Sequence, residues 1–216
     1  MSHSQRQSAP ASGRGNHGVT VWLTGLPGAG KSTLAEAVQC LARDAVGVAV
    51  LDGDELRTSL SADLGFSKGD RETHAKRVGF VAELLSRNGI LTLVPVIAPY
   101  AGTRAATRAH HDQHGTAFLE VHVSTPLSEC ERRDPKGLYA KAHEGRIVGL
   151  TGVDDPYERP VAPDLRVDTT DIEVGTAAHR ILDVLTEHGF LDAGAIADSS
   201  MAAGRGGERC SAGACR

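Results

Sequence analysis

One octapeptide restricts the folds open to this chain more than any other feature. Gly25-Leu26-Pro27-Gly28-Ala29-Gly30-Lys31-Ser32 fits the pattern G-x-x-x-x-G-K-S/T. The apolar β-type run Val19-Thr20-Val21-Trp22-Leu23 precedes it and a stretch of helical period follows. Strand, glycine-rich turn and helix in that order make a P-loop. The glycines let backbone N–H groups curl toward phosphate oxygens, and the helix N-terminus adds positive potential. Lys31 is placed to reach the terminal phosphates and Ser32 to ligate Mg²⁺, so the loop reads as a site for ATP with magnesium.

The rest of the chain supplies a fold around that loop. Apolar runs at 19–24, 46–51, 90–97, 118–123 and 165–167 alternate with helical periods at 32–43, 70–88, 103–114, 126–132 and 174–188. Such alternation builds a P-loop NTPase-type α/β three-layer sandwich, with a mostly parallel central sheet and helices on both faces. Ser67 is placed to cap the second helix, Gly89 to end it, and Gly189 to stop the last one. With 216 residues there is room for one such domain, expected over 18–191. Residues 1–17 and 192–216 have too little to bury to offset the entropy of ordering and read as a disordered arm and tail.

Composition narrows the partners. A formal net charge of −4, with both signs interspersed, gives no basic field for nucleic acid. No segment has the length of a membrane span or the apolar stretch of a secretory signal. Of the four cysteines, Cys40 and Cys130 fall in segments that read as helix and core rather than as a disulfide framework. Cys210 and Cys215 sit in the low-complexity tail. A soluble, cytoplasmic protein is expected.

A P-loop serves many chemistries, so the following strand has to discriminate. It ends in Leu51-Asp52-Gly53-Asp54, two carboxylates at the carboxyl edge of the sheet, where open α/β folds bind ligands. One of them is a candidate to accept a substrate hydroxyl proton or to organise Mg²⁺ through water, the bland alternative being that Asp54 merely caps the next helix. Beyond them lie Arg57, Phe66 and Arg71, then His74, Lys76 and Arg77 on a helix. Two arginines suit an anionic acceptor and one aromatic suits a planar base.

Six ordered blocks carry a family resemblance across essentially all of 18–191. They are GLPGAGKST at 25–33, LDGDELR at 51–57, DLGFSKGDR at 63–71, IAPY at 97–100, RDPKGLYAKA at 133–142 and LTGVDDPYERP at 150–160. The chain resembles the adenylyl-sulfate kinase (APS kinase) family, which transfers the γ-phosphoryl of ATP to the ribose 3′-hydroxyl of adenosine 5′-phosphosulfate (APS), giving PAPS and ADP in sulfate activation. The resemblance implies ATP binding by Gly25, Leu26, Pro27, Gly28, Ala29, Gly30, Lys31, Ser32, Thr33 and Arg133. Lys31, Asp52 and Asp54 are implied as catalytic, with Mg²⁺ on Ser32 and, through water, on Asp54. Arg57, Phe66, Arg71, His74, Ile97, Ala98, Lys136, Lys141 and Leu150 are implied to meet APS. Residues 133–160 look like the family's mobile lid, and a homodimer is the implied assembly.

Three positions depart from the commonest family pattern. Ala98 replaces a serine, so no phosphoserine can form there, although direct in-line transfer needs none. His74 replaces an asparagine, and Leu150 replaces a phenylalanine that helps sandwich adenine in many relatives. Those changes leave open a P-loop kinase for another small hydroxyl acceptor, or a catalytically silent APS- or PAPS-binding module. His110, His111 and His114 invite a metal reading, but without an H-E-x-x-H pattern or a cysteine pair they read as a solvated helix face.

Overall fold

The computed structural model describes residues 18–192. Five strands, all parallel, lie in the order β2-β3-β1-β4-β5: β1 Val19–Thr24, β2 Val48–Val50, β3 Leu91–Pro95, β4 Ala117–Val123 and β5 Leu165–Val167. The helices are α1 Lys31–Ala42, α2 Gly53–Thr58, α3 Lys68–Arg87, α4 Ala101–Gln113, α5 Leu127–Arg133, α6 Leu138–His143 and α7 Val174–Glu187.

The central strand β1 shows why the chain folds in three layers. It pairs with β3 on one side and β4 on the other, and all six of its residues are buried. Successive side chains of a strand point to opposite faces. Val19, Val21 and Leu23 pack with Leu34 and Val38 of α1 and Ile181, Leu182 and Leu185 of α7. Trp22 packs instead with Ala75, Val78 and Ala82 of α3 and with Phe118. A near-continuous apolar run is what a strand covered on both faces requires.

Thr20 also points to the α3/α4 side, where its hydroxyl meets Ser86 Oγ at 2.7 Å and His111 Nε2 at 2.9 Å. His111 is therefore a buried core residue, contrary to the reading of 110–114 as a solvated face. Helices α3 and α4 come close beside it, since a Cβ on Gly79 would lie 2.7 Å from Thr107 Cγ2.

Ser67 caps α3, accepting a bond from the Asp70 amide at 3.2 Å, while Gly89 and Gly189 follow α3 and α7 with φ of 85° and 77°. Two helices exceed the sequence expectation, α2 and α6, each of six residues. Elements that short do not complete enough turns to show a period. Asp52, not Asp54, caps α2: its Oδ1 accepts the amides of Asp54 at 2.9 Å and Glu55 at 3.4 Å. Strand β2 is shorter than 46–51 because the Val46 amide still bonds to Ala42 at the end of α1.

Cys130 is a buried free thiol. Cys40 is disulfide-bonded, which corrects the reading from spacing; it is only half-buried on α1, so its sulfur is not sealed in the core. Among the described residues no helix is long and apolar enough to cross a membrane. The arm and the tail expected at 1–17 and beyond Asp192 lie outside the described residues.

Candidate active site

The carboxyl ends of β1 and β3, the P-loop and the segments after β2 and α5 enclose a cavity of about 510 Å³. Gly28 and Gly30 adopt φ of 74° and 95°, values that side chains resist and that the curled loop needs. Lys31 folds under the loop and donates to the carbonyls of Gly25 at 3.0 Å and Leu26 at 2.7 Å. Desolvation of its ammonium pushes the pKa down to about 8. An anion in the loop would stabilise the ammonium and raise the pKa again, so the lysine is held where a phosphate is the natural partner.

Ser32 donates to Asp52 Oδ2 at 2.7 Å, joining the end of the P-loop to the end of β2. Asp52 thus spends one oxygen on the helix cap and the other on the serine. Asp54 stays exposed and pairs with Lys136 of the segment between α5 and α6. Exposed pairs of this kind contribute little, so it can open at small cost.

On the other side of the cavity rim the cations gather around one ring. The Arg57 guanidinium lies 4.8 Å from the centre of Phe66 and that of Arg71 lies 5.8 Å from it. Phe66 is 67% exposed, an unusual place for a large apolar ring unless something covers it. Burial, and then the like charge of Arg71, pulls the Arg57 pKa below its ordinary value. Two crowded guanidinium groups create a potential that favours an anion between them.

Arg71 is tied to the loop after α6. It donates to the carbonyls of Phe66 at 2.8 Å and Gly149 at 2.6 Å and to Thr151 Oγ1 at 3.1 Å, with Asp155 at 3.9 Å. In the same loop a Cβ on Gly152 would lie 2.7 Å from Leu26 Cδ2, so the loop rests on the P-loop. Arg133 is anchored likewise, donating to Thr169 Oγ1 at 2.8 Å and to its carbonyl at 2.7 Å. Thr169 in turn bonds to the Ala29 carbonyl at 3.0 Å.

His74 is buried in the cavity wall. Its Nδ1 meets Ser61 Oγ at 2.9 Å, and its Nε2 has no hydrogen-bond partner. Burial, with Arg57 adding to it, pushes its pKa down to about 4, so it is a neutral imidazole near pH 7. Ala98 stands at φ 42°, a strained value for a residue with a Cβ, and its carbonyl accepts from Arg104 at 2.8 Å. The Ile97 carbonyl accepts from Thr24 Oγ1 at 2.6 Å.

The cavity wall brings together Pro27, Gly28, Gly30, Lys31, Ser32, Thr33, Asp52, Asp54, Arg57, Phe66, Arg71, His74, Ile97, Ala98, Arg133 and Lys136. It does not include Gly25, Leu26, Ala29, Lys141 or Leu150. Lys141 lies in the last turn of α6, and Leu150 is buried in the core cluster that holds Leu26 and Tyr139. Sequence reasoning missed Tyr139, which lines the cavity and donates its hydroxyl to the Pro27 carbonyl at 2.9 Å. Its place three residues after Lys136 in RDPKGLYAKA was the available signal.

Comparison with known proteins agrees in extent with this architecture. The family model described as "Adenylylsulphate kinase" matches residues 17–168. A "Probable adenylyl-sulfate kinase" from Synechocystis sp. is 47% identical over 176 residues, 81% of this chain and 97% of that protein. The "Adenylyl-sulfate kinase" of Myxococcus xanthus is 46% identical over 180 residues, 83% of this chain and 97% of that one. Among solved structures, the Mycobacterium tuberculosis APS kinase CysC in complex with AMPPNP and APS superposes with a TM-score of 0.75 at 49% identity, covering 79% of this chain and 98% of that one.

Proposed function

The chain belongs to the adenylylsulphate kinase family, a family of enzymes, and we propose that it transfers the γ-phosphoryl of ATP to the 3′-hydroxyl of APS, giving PAPS and ADP. The observation that carries the acceptor half is the pair Arg57 and Arg71 flanking the exposed ring of Phe66 in the same cavity as Lys31. A planar base with an anionic tail satisfies both features, the ring by stacking and the guanidinium groups by charge.

In this reading the P-loop amides and Lys31 bind the β- and γ-phosphates, and Lys31 stabilises charge on the group in flight. Arg133 and Thr33 border the ATP side. Ser32, and Asp54 through water, would hold Mg²⁺, and their hard oxygen donors suit that ion. Bound Mg²⁺ supplies neutralisation of phosphate charge. Asp54 accepts the proton of the acceptor hydroxyl once Lys136 swings from it to a phosphate. Asp52 positions Ser32 through the 2.7 Å bond. His74 Nε2, buried and unpartnered, is available to the acceptor where the usual asparagine would offer an amide.

The loop that clasps Arg71 supports a lid role for 133–160, because Gly152 meets Leu26 of the P-loop while the neighbouring Gly149 and Thr151 hold the acceptor arginine. Closing such a lid excludes water that would otherwise take the phosphoryl group. A coupled assay of ADP release with Mg-ATP checks the proposal. Release dependent on APS is expected; no APS-dependent turnover, or another hydroxyl acceptor exceeding APS in kcat/KM, would overturn it.

A further inference from the structure

Away from the cavity, on the outer face where α3 packs against α4, three side chains of metal-binding type converge. Glu83 of α3, His110 of α4 and His114 just after that helix present ligand atoms that all lie within 4.8 Å of one another. We infer that Glu83, His110 and His114 form a binding site for a divalent transition-metal ion of the zinc class.

The cluster is more than proximity. Glu83 is 1% exposed, and its Oε1 has no hydrogen-bond partner; the nearest cation is Arg87, whose Nε is 3.6 Å away. Nε2 of His110 is likewise buried without a partner. Buried polar atoms are normally satisfied, so a carboxylate oxygen with no hydrogen bond and only a loose 3.6 Å ion pair to Arg87, beside an imidazole nitrogen without a partner, suits a metal ion between them. His114 completes the set. Its Nδ1 lies 2.8 Å from the His110 carbonyl, which fixes the proton on Nδ1 and leaves Nε2 with a free lone pair. That is the arrangement by which a main-chain carbonyl orients a metal-bound histidine.

Two nitrogens and one carboxylate oxygen, with water from the exposed His114 side, make a four-coordinate site suited to zinc rather than to Mg²⁺ or Ca²⁺. Bonds of about 2.0–2.1 Å place ligand atoms roughly 3.3 Å apart in a tetrahedron. The observed span is wider, so the side chains must draw in by small rotations, for which the exposed His114 ring has room. The ion would tie α3 to α4 near their carboxyl-terminal ends. Because Arg71 and His74 lie at the other end of α3, its role is to hold that helix in place and not to take part in transfer.

The test uses the full chain, stripped of metal and then loaded with Zn²⁺ or with Co²⁺ as a spectroscopic stand-in. Expected are one ion retained per chain, a raised Tm, and the intense visible absorption of four-coordinate cobalt. In His114→Ala and Glu83→Gln the affinity for Zn²⁺ should fall at least about tenfold, the loss typical even of changes beyond the direct ligands. His114 is exposed, so His114→Ala folds and keeps the test decisive. His188→Ala, at an exposed histidine on the far side of the sheet, should bind as wild type. Unchanged binding in His114→Ala and Glu83→Gln would assign the metal to other histidines or cysteines and overturn the inference, as would a Tm that Zn²⁺ leaves unmoved.

Discussion

The two halves of the cavity are built in opposite ways. The donor half rises from β1, whose every residue is buried, and its loop is braced from beneath: the Ala29 carbonyl accepts both Thr125 Oγ1 and Thr169 Oγ1 at 3.0 Å, and Tyr139 holds Pro27. The half proposed to hold the acceptor rests on the six-residue α2, a 67% exposed ring, and arginines whose bonds run to loop carbonyls. Backbone amides recognise phosphate best when they do not move, whereas a site that must admit a bulky acceptor and then exclude water has to open. Under the proposed function, the difference puts affinity for the donor in the frame and makes selection of the acceptor depend on closure of the proposed lid.

The largest effect should come from the braced half. Lys31→Ala removes charge from the group in flight, and kcat should drop about 100- to 1000-fold by steady-state assay, with the KM for APS little changed. An equal rise in the APS KM would break the division into halves. Next, Asp54→Asn should lower kcat by about 100-fold or more while both nucleotides still bind by calorimetry. Unchanged turnover there would move the base elsewhere.

Changes on the side proposed for the acceptor should act on acceptor affinity. Arg71→Ala loses charge-assisted bonds of about 1.5–3 kcal/mol each, so the KM for APS should rise at least tenfold. It also unhooks the loop at Gly149 and Thr151, so ATP hydrolysis without acceptor should increase. A Lys31-like loss of kcat alone would contradict the assignment. Phe66→Ala removes one stacking face worth about 1 kcal/mol, which predicts a several-fold rise in the same KM.

The smallest effect concerns stability. Burial holds His74 and His122 near pKa 4 in the fold, against about 6.5 for an ordinary histidine. Below about pH 6.5 the unfolded chain therefore takes up protons that the folded chain refuses, and stability falls as pH drops from 6.5 toward 4. Above 6.5 this contribution is flat. His74→Asn should shallow the decline in Tm between pH 7 and pH 5, and an unchanged slope would show that His74 is not held neutral.

The same contrast separates what the sequence disclosed from what it hid. The P-loop, β1, β5 and the capped α3 were legible because each is specified by neighbours in the chain: a glycine spacing, an apolar run, a Ser67 before a helical period. The clasp of Arg71 by Gly149 and Thr151 joins residues about eighty positions apart and leaves no local pattern. The resemblance implies an acceptor contact at Leu150, and its packing in the core cluster beside Leu26 and Tyr139 is a tertiary fact that no local pattern shows. Glu83 escaped notice beside His110 and His114 because the pairing of α3 with α4, which brings them together, is a tertiary fact.

The central claim is that phosphate leaves ATP for one particular oxygen of APS. Incubating the full chain with Mg-ATP and APS and following both nucleotides by ³¹P NMR tests it directly. The account predicts a new 3′-phosphomonoester on the APS skeleton appearing in step with ADP, one for one. ADP accompanied by inorganic phosphate and unchanged APS would contradict it.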